Sequence, residues 1–262
     1  MVDVQLGALG EAPTSAAGSA AGPASARVEQ LAAVLARGTA SYGYDDFGIA
    51  LDAVLRLFAP RRVLEIGAGR APFVNPANCP AATITINDID PGELERADPH
   101  LRKLCFDISG PELPDERFDF VFSRSVLEHV PDGRQAWRNS LRLLDAGGVA
   151  LHFFPTLFSP PFVANRLLPE RLTLGAARLL RIRDLDAEPK FPARYSWCRA
   201  SAGLERNVRA LGFSATAIVP YYDHGYFRRL GPIDRWNTAL QQAAQRRDLR
   251  VLASYAFLIA VR

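Results

Sequence analysis

A chain of 262 residues, 48% hydrophobic and 23% charged, is long enough to bury a sizeable core as one large domain or two small ones. Cys79, Cys105 and Cys198 offer neither a disulfide framework nor metal-ligand spacing, no apolar run approaches ~18 residues, and the Ala-rich start lacks a basic segment ahead of an apolar one. Secreted scaffold, membrane protein and fibre are therefore excluded, and a reducing, cytoplasmic compartment is expected.

The formal net charge of +3 is unevenly spread: residues 1–150 hold 14 basic and 20 acidic side chains, residues 151–262 hold 17 and 8. Only two of the 31 basic residues are lysines, Lys103 and Lys190. Without a Lys-rich stripe, the Arg excess is weak evidence for nucleic acid, which is disfavoured as a partner.

Residues 7–26 are rich in Gly, Ala, Ser and Pro with little to bury, and residues 1–26 read as a disordered leader. Helices are expected over 27–37 and 45–58; in the second, Phe47, Leu51, Val54, Leu55 and Phe58 recur at the spacing of one buried face. From residue 61 short apolar strands alternate with helical or turn segments. Residues 61–66 stop at Gly67-Ala68-Gly69, 83–86 at Asn87-Asp88, 103–106 at Asp107 and 118–122 at Ser123-Arg124. A helix over 134–144 leads through Gly147-Gly148 to a strand at 149–154. This alternation describes a parallel sheet that binds ligands at its strand C-termini. Residues 155–195 interrupt it with six prolines and a helix expected near 169–181, as a lid or cap would. A helix (201–211), a strand (213–219), a helix (233–247) and a strand (251–261) complete the chain.

The segment Val63-Leu64-Glu65-Ile66-Gly67-Ala68-Gly69, followed about twenty residues later by Asp88, is how such folds hold adenosine-containing ligands. A dinucleotide site wants a third glycine where Pro72 stands, and Glu65 would lie near a pyrophosphate, where like charges repel. A carboxylate there suits a ligand with an amino group and no phosphate, such as S-adenosylmethionine, whose ribose hydroxyls Asp88 can accept from. A nicotinamide dehydrogenase is thereby disfavoured.

In these segments the chain resembles the class I S-adenosylmethionine-dependent methyltransferases, particularly the type-11-like group, over about residues 60–155. The resemblance implies a Rossmann-like α/β fold: a seven-stranded, mostly parallel sheet with an antiparallel last strand and a cap after the fifth strand. It implies a methyltransferase domain over 27–262, with 155–195 as the cap. It places Glu65, Gly67, Ala68 and Gly69 around the methionine and ribose parts of the donor, Asp88 on the ribose hydroxyls and Ile89 against adenine. Asp107 falls near the adenine amino group with Ile108 beside it, and Ser123 and Arg124 border the methionine end. The chain departs from the family at Ala71, where a third glycine is frequent, and at Pro72, Pro76 and Pro80. Those prolines fall in the first helix of the family, which is expected here to be very short or replaced by loop.

Methyl transfer needs a general base only when the nucleophile starts protonated. His129, just past the fourth strand, and His152, in the strand before the cap, are the candidate catalytic bases. His224 is a lesser one, and His100 reads as a solvent-exposed turn residue. Asp119 reads as structural. Tyr42, Tyr44, Tyr195 and Trp197 are candidates to line a pocket. The cap arginines (Arg166, Arg171, Arg178, Arg181, Arg183, Arg194, Arg199) suit a solvated helix face, or an anionic acceptor such as a phosphorylated or nucleotide-linked sugar. The reading is an S-adenosylmethionine-dependent methyltransferase acting on a small-molecule acceptor, chiefly at oxygen, with a natural-product or glycan intermediate preferred. The alternatives are a non-catalytic methyltransferase-like partner subunit and a nucleic-acid methyltransferase. No metal is expected, and a homo-oligomer is left open.

Overall fold

The computed structural model describes residues 22–37, 45–157, 163, 192–224, 227, 228 and 230–262. In chain order the elements are α1 (Pro23–Arg37), α2 (Phe47–Phe58), β1 (Arg62–Ile66), β2 (Thr83–Asp88), α3 (Pro91–Arg96), β3 (Arg102–Cys105), β4 (Phe118–Arg124), a 3-10 turn (Leu127–His129) and α4 (Gly133–Leu143). They continue with β5 (Leu144–Pro155), α5 (Ala202–Arg209), β6 (Ala215–Tyr221), α6 (Gly231–Arg246), a second 3-10 turn (Arg250–Leu252) and β7 (Tyr255–Val261). The expected cap helix near 169–181, the tyrosines at 42 and 44 and most cap arginines lie outside the described residues.

One seven-stranded sheet runs in the order β3-β2-β1-β4-β5-β7-β6. Strands β1 to β5 pair in parallel, and β7 enters antiparallel between β5 and β6. This is the sheet expected of a class I methyltransferase fold. Successive residues of a strand face opposite sides, and both sides are packed. Val63, Phe120, Phe122, Leu151, Phe153 and Phe257 belong to the core under α1 and α2. Leu64, Ile66, Val121, Ala150 and Phe154 belong to the core under α4 and α5. Such strands read as near-continuous apolar runs because each face meets a layer.

Several local expectations are corrected. α1 begins at Pro23, inside the stretch assigned to the leader, because Val28, Leu31 and Leu35 bury one helix face and the chain upstream of Val28 completes its first turns. β5 begins at Leu144, so Gly147-Gly148 belongs to the strand. The register slips there, Phe118 pairing with Leu144 and Phe120 with Val149, and Gly147 takes φ +77°, as a bulge favours. α3 was not expected from the sequence. Its signal is Asp90-Pro91, an N-cap whose carboxylate accepts from the Gly92 N–H at 2.8 Å, followed by Pro at the first helical position. The last strand starts at Tyr255 rather than 251, after the Arg250–Leu252 turn.

No helix forms between β1 and β2, as the three prolines require. The space beside the sheet is filled instead by loop side chains: Val74 and Cys79 are buried and Phe73 packs edge-on against Phe47 at 5.1 Å.

Candidate active site

The ends of β1, β2, β3 and β4 bring most of the expected site residues to one edge of the sheet. β1 ends in a tight turn in which Gly67 has φ +66° and Gly69 φ +57°, both in the left-handed region that glycine tolerates without steric cost. A Cβ on Gly67 would lie 2.5 Å from Val126 Cγ2, so the turn nests against the segment after β4. The Ala68 N–H donates to the Asn87 carbonyl at 2.8 Å, and the Gly69 N–H donates to Asp88 Oδ2 at 2.9 Å. Asp88 Oδ1 accepts from the Asp90 N–H at 3.0 Å. The carboxylate is thus fixed by two backbone donors while remaining half-buried at the site edge.

Ile89, next in sequence, is 62% exposed. An aliphatic side chain held in solvent beside a fixed carboxylate offers a flat ring an apolar face. Asp107 stands at the end of the neighbouring strand, its Oδ1 accepting from the Ser109 N–H and hydroxyl at 2.8 and 2.9 Å. It lines an open cavity of about 450 Å³ with Cys105, Phe106 and Leu113. Two asparagines missed in the sequence set these positions. Asn87 donates to the carbonyls of Leu104 and Phe106, both at 3.0 Å. Asn139, fully buried on α4, donates to those of Ile108 and Gly110, both at 2.8 Å. A polar residue inside an apolar helix face was the signal for Asn139.

Glu65 is in place but occupied. It is 5% exposed, and its carboxylate accepts from the Phe73 N–H (2.9 Å to Oε2) and the Val74 N–H (3.1 Å). Burial raises its pKa, while these two bonds and the charge of Arg124 pull it back. Its first service is therefore to hold the loop that replaces the missing helix. The Arg124 guanidinium lies over the Phe73 ring at 4.3 Å and the Phe47 ring at 5.5 Å, which keeps a cation at the methionine end of the expected site.

Three expected site residues face elsewhere. Ile108 is 4% exposed and packs in the core, below the site rather than beside a ring. Ser123 is fully buried, with its hydroxyl 2.8 Å from His152 Nδ1. His152 is fully buried too, and its Nε2 is 3.1 Å from the Ser140 hydroxyl. Because Ser140 already donates to the Ala136 carbonyl at 2.9 Å, His152 donates through Nε2–H and accepts from Ser123 at Nδ1. Neither ring nitrogen has a lone pair to spare, and burial drops the pKa to about 3. His152 is thus a framework residue, not the base. His224 is likewise buried against Asn237 Oδ1 at 3.2 Å, with burial lowering its pKa. His100 lies in the exposed turn as expected. Asp119 is structural, accepting from the N–H groups of Arg61 and Arg62 at 2.9 Å.

His129 remains. It closes the 3-10 turn after β4, its side chain 34% exposed. Tyr195 and Trp197 sit in the segment that returns toward α5, both with positive φ (+53° and +59°). That segment is fastened to the turn by the Tyr195 N–H donating to the Glu128 carbonyl at 2.9 Å.

The residues present fit an adenosine-bearing amino acid: acceptor carboxylates for hydroxyl and amino donors (Asp88, Asp107), an exposed apolar surface (Ile89), and a buried carboxylate beside a guanidinium (Glu65, Arg124) for a zwitterion. Residues 64–152 match the family model of a methyltransferase domain. A SAM-dependent methyltransferase of Thermotoga maritima superposes with a TM-score of 0.52 at 16% identity, covering 90% of this chain and 93% of its own. A phosphoethanolamine N-methyltransferase of Haemonchus contortus, in complex with S-adenosyl-L-methionine, gives a TM-score of 0.49 at 17% identity. That match covers 81% of this chain and 52% of the other, so the chain spans about half the length of that relative. An S-adenosylmethionine-dependent methyltransferase of Mesorhizobium loti gives 0.49 at 17% identity, covering 84% and 100%. No curated protein sequence matches.

Proposed function

We propose that this chain, which carries an S-adenosylmethionine-dependent methyltransferase domain at residues 64–152, methylates a small-molecule acceptor at a hydroxyl oxygen. The observation that carries the reading is the glycine turn locked to Asp88 by the 2.9 Å Gly69 N–H bond, with exposed Ile89 beside it. When bound, the donor supplies a methyl group on a cationic sulfur. Asp88 and Asp107 accept from its ribose and adenine donors, Ile89 covers a ring face, and Arg124 and Glu65 meet its amino-acid end. The protein's remaining task is to align the acceptor, exclude water and receive a proton. His129 is the base in this reading, because its side chain is 34% exposed in the turn just past β4 whereas His152 and His224 are buried.

A natural-product or glycan intermediate is the preferred acceptor class. Arg194 and Arg199, both exposed where the chain returns from the cap region, favour an anionic one. Acceptor KM should then rise steeply with salt, and a flat response would remove the anionic requirement.

Calorimetric titration with S-adenosylmethionine and S-adenosylhomocysteine tests the donor site. Micromolar binding that Asp88→Ala loses is expected. A wild-type protein that binds neither compound sinks the reading and points instead to a repurposed scaffold.

A further inference from the structure

Arg70 and Glu93 have no task in the reading above, yet both border the glycine turn. Arg70 follows Gly69, and Glu93 lies in α3, the short helix that Asp90 caps and buried Leu94 anchors. The Arg70 guanidinium donates to both oxygens of Glu93, from Nε to Oε2 at 2.7 Å and from Nη2 to Oε1 at 2.8 Å. Arg96 Nη1 adds a third bond, to Oε1 at 3.2 Å. The side chains of Arg70 and Glu93 are 49% and 20% exposed, and an ion pair so near solvent adds little to stability. What the two-pronged contact fixes is where the carboxylate stands.

That place is beside Asp88. A Cβ on Gly69 would meet, beyond its chain neighbours, only two atoms within 4 Å: Asp88 Oδ2 and Glu93 Oε2, both at 3.8 Å. An open position over the turn is thus flanked by two carboxylate oxygens. Each keeps room for one further donor: among the described residues, Asp88 Oδ2 accepts only from the Gly69 N–H and Glu93 Oε2 only from Arg70 Nε. Two carboxylates facing one position repel. The guanidinium on Glu93 offsets that repulsion while Oε2 stays available. A pair of neighbouring hydroxyls, each reaching about 2.7 Å to an acceptor, spans a gap of this order.

We propose that Glu93 is a second ribose-binding carboxylate of the donor site and that Arg70 is the positioning residue that holds it. The inference rests on the reading of Asp88 as the first acceptor of the ribose hydroxyls. With the donor bound, one hydroxyl donates to Asp88 and its neighbour to Glu93 Oε2, so the site reads the diol rather than a single hydroxyl. A ligand that lacks one hydroxyl leaves one of the two carboxylates without its donor, and a hydrogen bond to a charged group is among the stronger ones.

The test is calorimetric titration of the full chain with S-adenosylhomocysteine and with its 2′-deoxy and 3′-deoxy analogues. Wild-type protein should bind the parent compound about tenfold or more tighter than either analogue. Glu93→Met keeps the length of the side chain and removes the acceptor. It should cut the preference over one analogue to within about twofold and leave the preference over the other in place. Arg70→Met, which unties the carboxylate, should shrink that same preference. A wild-type preference retained in Glu93→Met overturns Glu93 as a ribose acceptor, and so does a loss of equal size for all three ligands, which a merely structural role would give. A wild-type preference below about twofold over either analogue overturns it even if no variant folds. An unchanged preference in Arg70→Met overturns Arg70 as the residue that holds Glu93. Binding that Asp88→Ala loses and Glu93→Met keeps overturns the inference and leaves the donor site standing. No wild-type binding of S-adenosylhomocysteine removes both.

Discussion

Gly67 combines two demands that no other residue meets: a φ of +66° and a neighbour, Val126 Cγ2, 2.5 Å from where a Cβ would be. Gly67→Ala should therefore push the glycine turn off the β4 segment, costing about 1 kcal/mol or more in backbone strain alone. Titration with S-adenosylhomocysteine should show at least a tenfold loss of affinity, and wild-type affinity would refute the nested turn as part of the donor site. His152 makes a prediction of opposite kind. Its folded pKa is about 3 against 6.5 for the ordinary group. Between those values the unfolded chain binds a proton that the folded chain refuses, so stability falls as pH drops from 6.5 toward 3. His152→Gln removes that one-proton term, worth up to about 1.4 kcal/mol per pH unit. Urea midpoints across this window should fall less steeply in the variant than in the wild type, and parallel curves would count against it. The same comparison shows what a linear sequence conceals. His129 and His152 both read as residues at strand ends on the ligand side. Only the packing of α4 against β5, which delivers Ser140 and places Trp137 edge-on to the imidazole at 4.7 Å, separates the framework histidine from the half-buried one.

At the scale of elements, what was legible follows from periodicity and punctuation. The strands of the sheet were visible as apolar runs, the first four ending at Gly, Asn, Asp or Ser, and the prolines after the glycine turn foretold the missing helix. Hidden were α3, whose six residues are too few for a helical period to show, and the bulge at Gly147-Gly148, which looks like any loop until a partner strand sets its register. The loop standing where a helix is expected has a physical weak point. Its first amides, which a helix N-terminus would leave uncapped, are satisfied by Glu65 from the adjacent strand. Glu65→Ala removes both acceptors at once. It should accelerate hydrogen exchange at the Phe73 and Val74 amides far more than at β4, since the strand keeps its own ladder. Equal protection in variant and wild type would show that the loop is held by the Phe73–Phe47 contact and its prolines instead. Donor affinity should fall in parallel, because Arg124 rests on the Phe73 ring and moves with it.

The whole molecule divides its labour across the sheet. Strands β1 to β4 carry the candidate site at their C-terminal ends, while β5, β7 and β6 form a wall whose apolar side is closed by α1. Val28, Leu31 and Leu35 of α1 are at most 2% exposed, and the Tyr221 hydroxyl on β6 donates to the Leu35 carbonyl at 2.7 Å. Tyr221 is pushed up beyond the usual phenol range by burial and by Asp46, so this bond persists across any working pH. Every residue of β7 is buried, which makes that strand the keystone between β5 and β6 and leaves α1 as its cover. Leu31→Ala opens a cavity under that cover and should cost about 2–5 kcal/mol, the range for a buried Leu cut back to Ala. Because α1 packs on β6 and β7 rather than on the strands that end at the glycine turn, the loss should appear in the urea midpoint and not in affinity for S-adenosylhomocysteine at low temperature. A variant that keeps its midpoint but loses the ligand would mean that α1 reaches the site. The division between a binding edge and a stabilising wall would then be wrong.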